Sequence, residues 1–215
     1  MTTEATRAVL DEVGQYRIVP VIVLDRAPDA EPLANALLAA GLPLAEVTLR
    51  TPEAEDALAR MAKIDGIIAG AGTVRTVDQV KRAKDAGAQF AVSPGVSERV
   101  IEACLDADLP LLPGVSCASD IHRATEAGFG TLKFFPAEAS GGIPALKALS
   151  APFNDVRFVP TGGISAKNLR EYLDVPSVSA VGGSWMVAPA LIRDGRFDEV
   201  ERLCREAIVK TAQPR

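Results

Sequence analysis

Lys133 stands between Leu132 and Phe134 in the apolar run Thr131-Leu-Lys-Phe-Phe135. In an extended segment alternate side chains face opposite ways, so Leu132 and Phe134 share one face and Lys133 shares the other with Thr131 and Phe135. A lysine is almost never fully buried without a partner or a task. Desolvation and a nearby cation favour the neutral form of such an amine, and a neutral amine attacks carbonyl carbon. The plain alternatives are a lysine that snorkels to a rim or one that pairs with an acid. A second segment, Ala45-Glu-Val-Thr-Leu-Arg50, supplies the acid: Val47 and Leu49 face one way, and Glu46, Thr48 and Arg50 face the other. Glu46 is then deepest and Arg50 lies at the upper rim. An amine opposite a carboxylate equips a site for imine chemistry, with a nucleophile and a proton carrier side by side. A structural ion pair between Glu46 and Arg50 is the bland reading of the same residues.

Two glycine pairs add a second chemistry. Pro160-Thr161-Gly162-Gly163-Ile164-Ser165 and Val181-Gly182-Gly183-Ser184-Trp185 both follow apolar β-like runs. Each pair removes side chains so that backbone N–H groups can approach an anion. One such pair reads as a plain turn; two, in successive loops near the end of the chain, point to a phosphate site. Gly70-Ala-Gly-Thr73 offers a hydroxyl and a close backbone approach, whereas Ser93-Pro94-Gly95 and Pro113-Gly114 read first as tight turns. The single histidine, His122, falls in a helical stretch, where a solvated histidine is the ordinary reading.

These residues must be held by a repeating frame. Short β-branched runs over 18–24, 44–49, 67–71, 90–93, 111–113, 131–135, 157–161 and 178–181 alternate with Ala- and Leu-rich helical stretches. Helix starts are expected at Thr51-Pro52-Glu53, at Thr76-Val-Asp-Gln79 as a capping box, at Ser97-Glu98 and at Ser119-Asp120. Gly87 and Gly128 mark helix ends. Eight strand-then-helix units without a long linker predict a parallel α/β fold, a (β/α)8 TIM barrel, formed as one domain over 1–215. An extra N-terminal helix, Thr3 to Val13, is expected to plug its bottom, and an open doubly wound sheet is the rival arrangement. Barrel chemistry sits at the C-terminal ends of the strands and in the loops that follow, which is where the glycine pairs fall, with Lys133 in the middle of its strand and facing the interior below them.

Composition narrows the partners. With 23 Lys plus Arg against 28 Asp plus Glu, the net charge of −5 argues against a nucleic-acid or acidic-membrane surface. Three scattered cysteines, Cys104, Cys117 and Cys204, read as buried thiols in a reducing, cytoplasmic compartment. The early acids and missing apolar core of the first residues do not read as a signal peptide. One histidine, dispersed cysteines and a solitary strand carboxylate give no metal-ligand spacing, so neither a metal nor another cofactor is expected.

In this order along the chain, Glu46-Val-Thr-Leu-Arg50-Thr, Ala71-Gly-Thr73-Val, Ser93-Pro94-Gly95, Lys133-Phe-Phe-Pro-Ala-Glu138, Pro160-Thr-Gly-Gly163 and Gly182-Gly-Ser-Trp185 resemble the 2-keto-3-deoxy-6-phosphogluconate (KDPG) and 4-hydroxy-2-oxoglutarate (KHG) aldolases. No single piece is specific; the combination is. The resemblance implies a class I aldolase of the Entner–Doudoroff pathway, cleaving KDPG to pyruvate and glyceraldehyde 3-phosphate. Lys133 would form the Schiff base and Glu46 would be the general acid/base. Arg50 and Thr73 would hold the pyruvate end, and Gly162, Gly163, Gly183 and Ser184 the phosphate. Thr161, Pro94 and Phe135 would shape the pocket. A homotrimer is implied as well. KHG as the main substrate, or a non-aldolase phosphosugar isomerase or binding barrel, are the competing readings. An isomerase has no use for an inward lysine, and a binding protein needs neither Lys133 nor Glu46.

Overall fold

A computed structural model describes residues 13–212. Parallel strands alternate with helices throughout: β1 Ile18–Ile22, α1 Ala30–Ala40, β2 Leu44–Thr48, α2 Ala54–Met61, β3 Ile68–Gly72, α3 Val77–Asp85, β4 Phe90–Val92 and α4 Glu98–Asp106. There follow β5 Leu111–Leu112, β6 Gly114–Val115, α5 Ala118–Glu126, β7 Thr131–Phe134, α6 Gly142–Ser150, β8 Arg157–Pro160, α7 Leu169–Leu173, β9 Val181–Gly183, α8 Pro189–Arg193 and α9 Phe197–Ala212. The expected N-terminal helix lies outside the described residues apart from its last residue, Val13.

The strands form a six-stranded sheet in the order β5-β4-β3-β2-β1-β9 and a three-stranded sheet in the order β6-β7-β8. The strand expected over 111–113 stops at Leu112, and a separate strand that the sequence did not predict follows at Gly114–Val115. Pro113 has no amide hydrogen, so the ladder toward β4 stops at Leu112 while Gly114 and Val115 pair with Lys133 and Phe134 of β7. Gly114 is required where the chain changes partners, because a Cβ there would lie 2.4 Å from the Pro94 carbonyl carbon. At the other end of the smaller sheet, isolated parallel bridges Phe158↔Val178 and Thr161↔Gly182 link β8 toward β9. Val178 therefore belongs to a bridge, and the last strand starts three residues later than expected.

Two buried clusters divide the strand residues by parity. Ala45, Val47, Leu132 and Phe134 pack outward with the helices in the larger cluster. Val19, Leu44, Ile68, Phe90, Val92, Leu112 and Val159 fill the concave side, with Val13 and Tyr16 packed against them. The rise from this inner cluster to the strand ends changes from apolar to polar, with Glu46, Thr48, Lys133 and Thr161 buried above it.

Local capping follows the sequence in part. Thr76 accepts from the Gln79 N–H, but the Gln79 side chain reaches back to the N–H of Arg75 rather than Thr76. Thr51 does not cap α2; its hydroxyl donates to the Leu24 carbonyl, and the helix begins three residues later. The α5 start moves to Ala118, where Asp120 accepts from the Ser116 N–H. Gly87 and Gly128 end their helices in the left-handed region as expected.

Cys117, expected to be buried, is exposed at the start of α5, whereas Cys104 and Cys204 are buried. Burial pushes the Cys104 and Cys204 thiols up to about 12. At pH 8 roughly one part in ten thousand of each is thiolate, the form that reacts. A disulfide reagent at pH 8 is therefore expected to modify Cys117 alone in the native protein and all three thiols in denaturant; rapid native labelling of more than one thiol would contradict this burial. The buried thiols keep their protons at a pH where the unfolded chain gives them up, so their effect on stability is absent below about pH 8.5 and becomes progressively unfavourable above it.

Candidate active site

Lys133 and Glu46 are the third residues of β7 and β2. Lys133 Nζ donates to Glu46 Oε1 at 3.1 Å, with side-chain exposures of 7% and 3%. Taking an ammonium out of water costs several kcal/mol even after relaxation. The fully buried Leu132 and Phe134 on the opposite face contribute about 1.5–3 kcal/mol each, enough to hold the strand in a register that points the lysine inward. Space for the carboxylate is made by Gly72: a Cβ at that position would lie 2.6 Å from Glu46 Oε1 and 2.7 Å from its Cγ. Thr48 is buried beside it and donates to the Ile22 carbonyl at 2.7 Å, which fixes β2 against β1. The Phe135 ring lies 5.2 Å from Lys133 Nζ, close enough for a cation–π contact and a shield from water.

Arg50 lies two residues beyond β2 and is exposed. Its guanidinium has no acid partner among the described residues, so the Glu46–Arg50 ion pair is replaced by the Glu46–Lys133 pair. Thr73 follows β3 directly and is half-buried with φ of 61°, an unusual conformation for a β-branched residue and one that concentrates at functional sites. The neighbouring Val74 N–H is tied to the Val92 carbonyl. Pro94, half-buried, is set by the turn in which the Ser93 hydroxyl donates to the Gly95 carbonyl.

The first glycine pair is a loop with spent carbonyls and unspent amides. Ala137 N–H donates to Thr161 O, Glu138 N–H to Gly162 O and Asn168 Nδ2 to Gly163 O. The N–H groups of Gly162, Gly163 and Ile164 have no hydrogen-bond partner among the described residues. Both glycines are left-handed, φ 99° and 82°, a conformation that exposes successive amides to an anion. Thr161 is buried below them and packs against Gly182, where a Cβ would lie 2.3 Å from its hydroxyl oxygen. Gly183 is buried under the Trp185 ring, and Ser184 is exposed at the rim. Asn168 has a structural part here that the sequence reading missed; its signal is the Ser165-Ala-Lys-Asn168 spacing, since Asn168 also accepts from the Ser165 N–H.

A cleft of about 600 Å³ between the starts of α3 and α4 contains none of these residues. His122 on α5 makes an edge contact with Phe153, which follows α6. Among the described residues no cluster of His, Cys, Asp and Glu could hold a metal, and no helix is long and apolar enough to cross a membrane.

A buried amine hydrogen-bonded to a buried carboxylate, both carried on strands of a parallel α/β frame, is an arrangement suited to carbonyl chemistry. The sequence matches the KDPG and KHG aldolase family over residues 9–203. It is 45% identical to the 2-dehydro-3-deoxy-phosphogluconate aldolase of Haemophilus influenzae over 205 residues, 94% of this chain and 96% of that one. The fold superposes on the KDPG aldolase of Zymomonas mobilis ZM4, solved with 3-phosphoglycerate, with a TM-score of 0.89 and 40% identity, covering 98% of both chains. The KDPG aldolase of Legionella pneumophila, in which pyruvate is captured as a covalent carbinolamine, gives a TM-score of 0.88 and 41% identity over 95% of this chain and 98% of that one. The chain belongs to the KDPG and KHG aldolase family and is a carbon–carbon lyase.

Removing one partner of the buried pair strands the other. Glu46→Ala is expected to lower the urea-unfolding free energy by about 3 kcal/mol, and Glu46→Leu combined with Lys133→Met to recover most of that loss. Equal stability of Glu46→Ala and wild type would mean that the pair is wet.

Proposed function

We propose that the protein is a class I aldolase that cleaves KDPG to pyruvate and glyceraldehyde 3-phosphate. The observation that carries this reading is the 3.1 Å contact between Lys133 Nζ and Glu46 Oε1, both side chains buried. The Lys133 amine attacks the C2 ketone, forming a C–N bond, and the ketone oxygen leaves as water to give a cationic imine. Glu46, directly or through a water, takes the proton of the C4 hydroxyl while the C3–C4 electron pair moves into the imine. Glyceraldehyde 3-phosphate departs with C4 as its aldehyde carbon. Glu46 then returns its proton to C3 of the enamine, and water hydrolyses the resulting imine to free pyruvate and the lysine amine. Arg50, with no acid to neutralise it, takes the substrate carboxylate as a charge-assisted pair, and Thr73 lies beside it on the next loop.

The phosphate goes to Gly162, Gly163, Gly183 and Ser184, with Thr161, Pro94 and Phe135 walling the pocket. The spacing supports this assignment. Val159 pairs with Lys133, and Gly162 lies three residues further along, a rise of about 10 Å. That matches the span of a substrate whose C2 is on the lysine and whose phosphate is at the far end. The unspent amides favour the phosphorylated substrate over KHG, which would leave them bare.

In the same reading the two sheets are parts of one (β/α)8 barrel, with the partner change at Pro113 as an interruption in a single stave. The chain is one domain that works as a homotrimer in the cytoplasm. The unpaired thiols and the phosphorylated substrate suit that compartment, and the subunit number follows from the family resemblance.

Borohydride added with pyruvate is expected to fix a reduced three-carbon adduct on Lys133, read by peptide mass; an unmodified Lys133 would end the imine mechanism. Glu46→Gln should still be trapped in this way yet exchange the pyruvate methyl protons at least a hundredfold more slowly, the ordinary scale for loss of a general base. Unchanged exchange would place the base elsewhere. Pyruvate release measured side by side from KDPG and KHG should favour the phosphorylated substrate in kcat/KM, and a preference for KHG would reverse the substrate order.

A further inference from the structure

The direction of the Gly162–Gly163 amides is set from behind. A peptide unit is planar and trans, so holding its carbonyl on one side turns its N–H to the other. The three successive carbonyls of Thr161, Gly162 and Gly163 are each held, and two of the three bonds come from adjacent residues of the loop that follows Lys133, Ala137 and Glu138. Glu138 does more than donate its N–H at 3.1 Å to Gly162 O. Its stem lies against the open face of Gly163, where a Cβ would come within 2.4 Å of Glu138 Cγ and 2.6 Å of its Cβ. Its Oε1 accepts a short hydrogen bond from the Tyr172 hydroxyl. Tyr172 is fully buried on α7, so its hydroxyl needs this acceptor. Burial, with the Glu138 carboxylate adding to it, pushes the Tyr172 phenol well above its ordinary range, so it stays a donor. Tyr172 on α7 therefore holds the Glu138 carboxylate, and Glu138 holds the glycine loop.

We infer that Glu138, braced by Tyr172, is a positioning residue for the phosphate end of the substrate: it sets the orientation of the Gly162 and Gly163 peptides without touching the reacting carbons. The inference rests on the reading of that loop as the phosphate grip. Glu138→Ala is expected to raise KM for KDPG about tenfold, equivalent to ~1.4 kcal/mol of binding, and to weaken competitive inhibition by inorganic phosphate in parallel. Pyruvate methyl exchange, which needs no phosphate, should stay within about twofold of wild type. Glu138→Gln keeps the stem and an acceptor oxygen, so it should restore KM to within about threefold. Tyr172→Phe removes only the hydroxyl, and it should raise KM for KDPG severalfold even if Glu138→Ala fails to fold.

A KM for KDPG that does not move in Glu138→Ala or Tyr172→Phe would overturn the inference, as would an equal loss of exchange and cleavage, which marks a general structural role. Wild-type enzyme indifferent to inorganic phosphate would overturn the phosphate reading itself and this inference with it. Phosphate inhibition that is present and equal in wild type and Glu138→Ala would remove only the part assigned to Glu138.

Discussion

An ammonium group withdrawn from water needs a counter-charge, and in this protein that need organises the site. Lys133 can remain inward because Glu46 meets it and because Leu132 and Phe134 are anchored in the helix layer behind it. Glu46 can reach it because Gly72 leaves the required volume empty and Thr48 ties β2 to β1. The pair therefore depends on four strands keeping register, and register in a parallel sheet is a property of the whole α/β frame. A slip of one residue would send Lys133 into the helix layer and Phe134 into the site.

Above that pair the rims differ in kind. One side presents a charged side chain, Arg50, free of any acid among the described residues. The other presents main-chain donors whose carbonyls have been committed elsewhere. On the proposed function, a flexible guanidinium suits a carboxylate that must be drawn toward the amine, whereas fixed amides suit a group that serves only as a handle. Both stand at the C-terminal ends of parallel strands, the position where loops can converge without disturbing the core.

Much of this was legible in the residues. Alternation alone put Lys133, Glu46 and Thr48 on the concave side, and the structure keeps them there, since a strand with Val47 or Phe134 on its other face has only one way to lie. The glycine pairs stood out only because there are two of them in successive loops after apolar runs, and in the first of these the amides are left without partners among the described residues. What escaped the sequence was long-range. Pro113 was read as the end of a strand, yet its missing hydrogen switches partners from β4 to β7. Thr51 looked like a cap, but the Leu24 carbonyl, distant in sequence, claimed its hydroxyl. Cys117 was grouped with the buried thiols because nothing local distinguishes it. Tyr172 gave no sign of its link to Glu138, since a tyrosine on a short amphipathic helix reads as ordinary core.

The loop of Gly162 and Gly163 has a bearing on how such a site can change over generations. Its donors are backbone atoms, and among the twenty residues only proline deletes one. Most codon changes there would alter conformation and leave the donor in place, so selection can act on that end of the molecule only through the shape of the polypeptide. The Arg50 end, by contrast, can be lost or exchanged in a single step. The two rims are thus open to drift at very different rates.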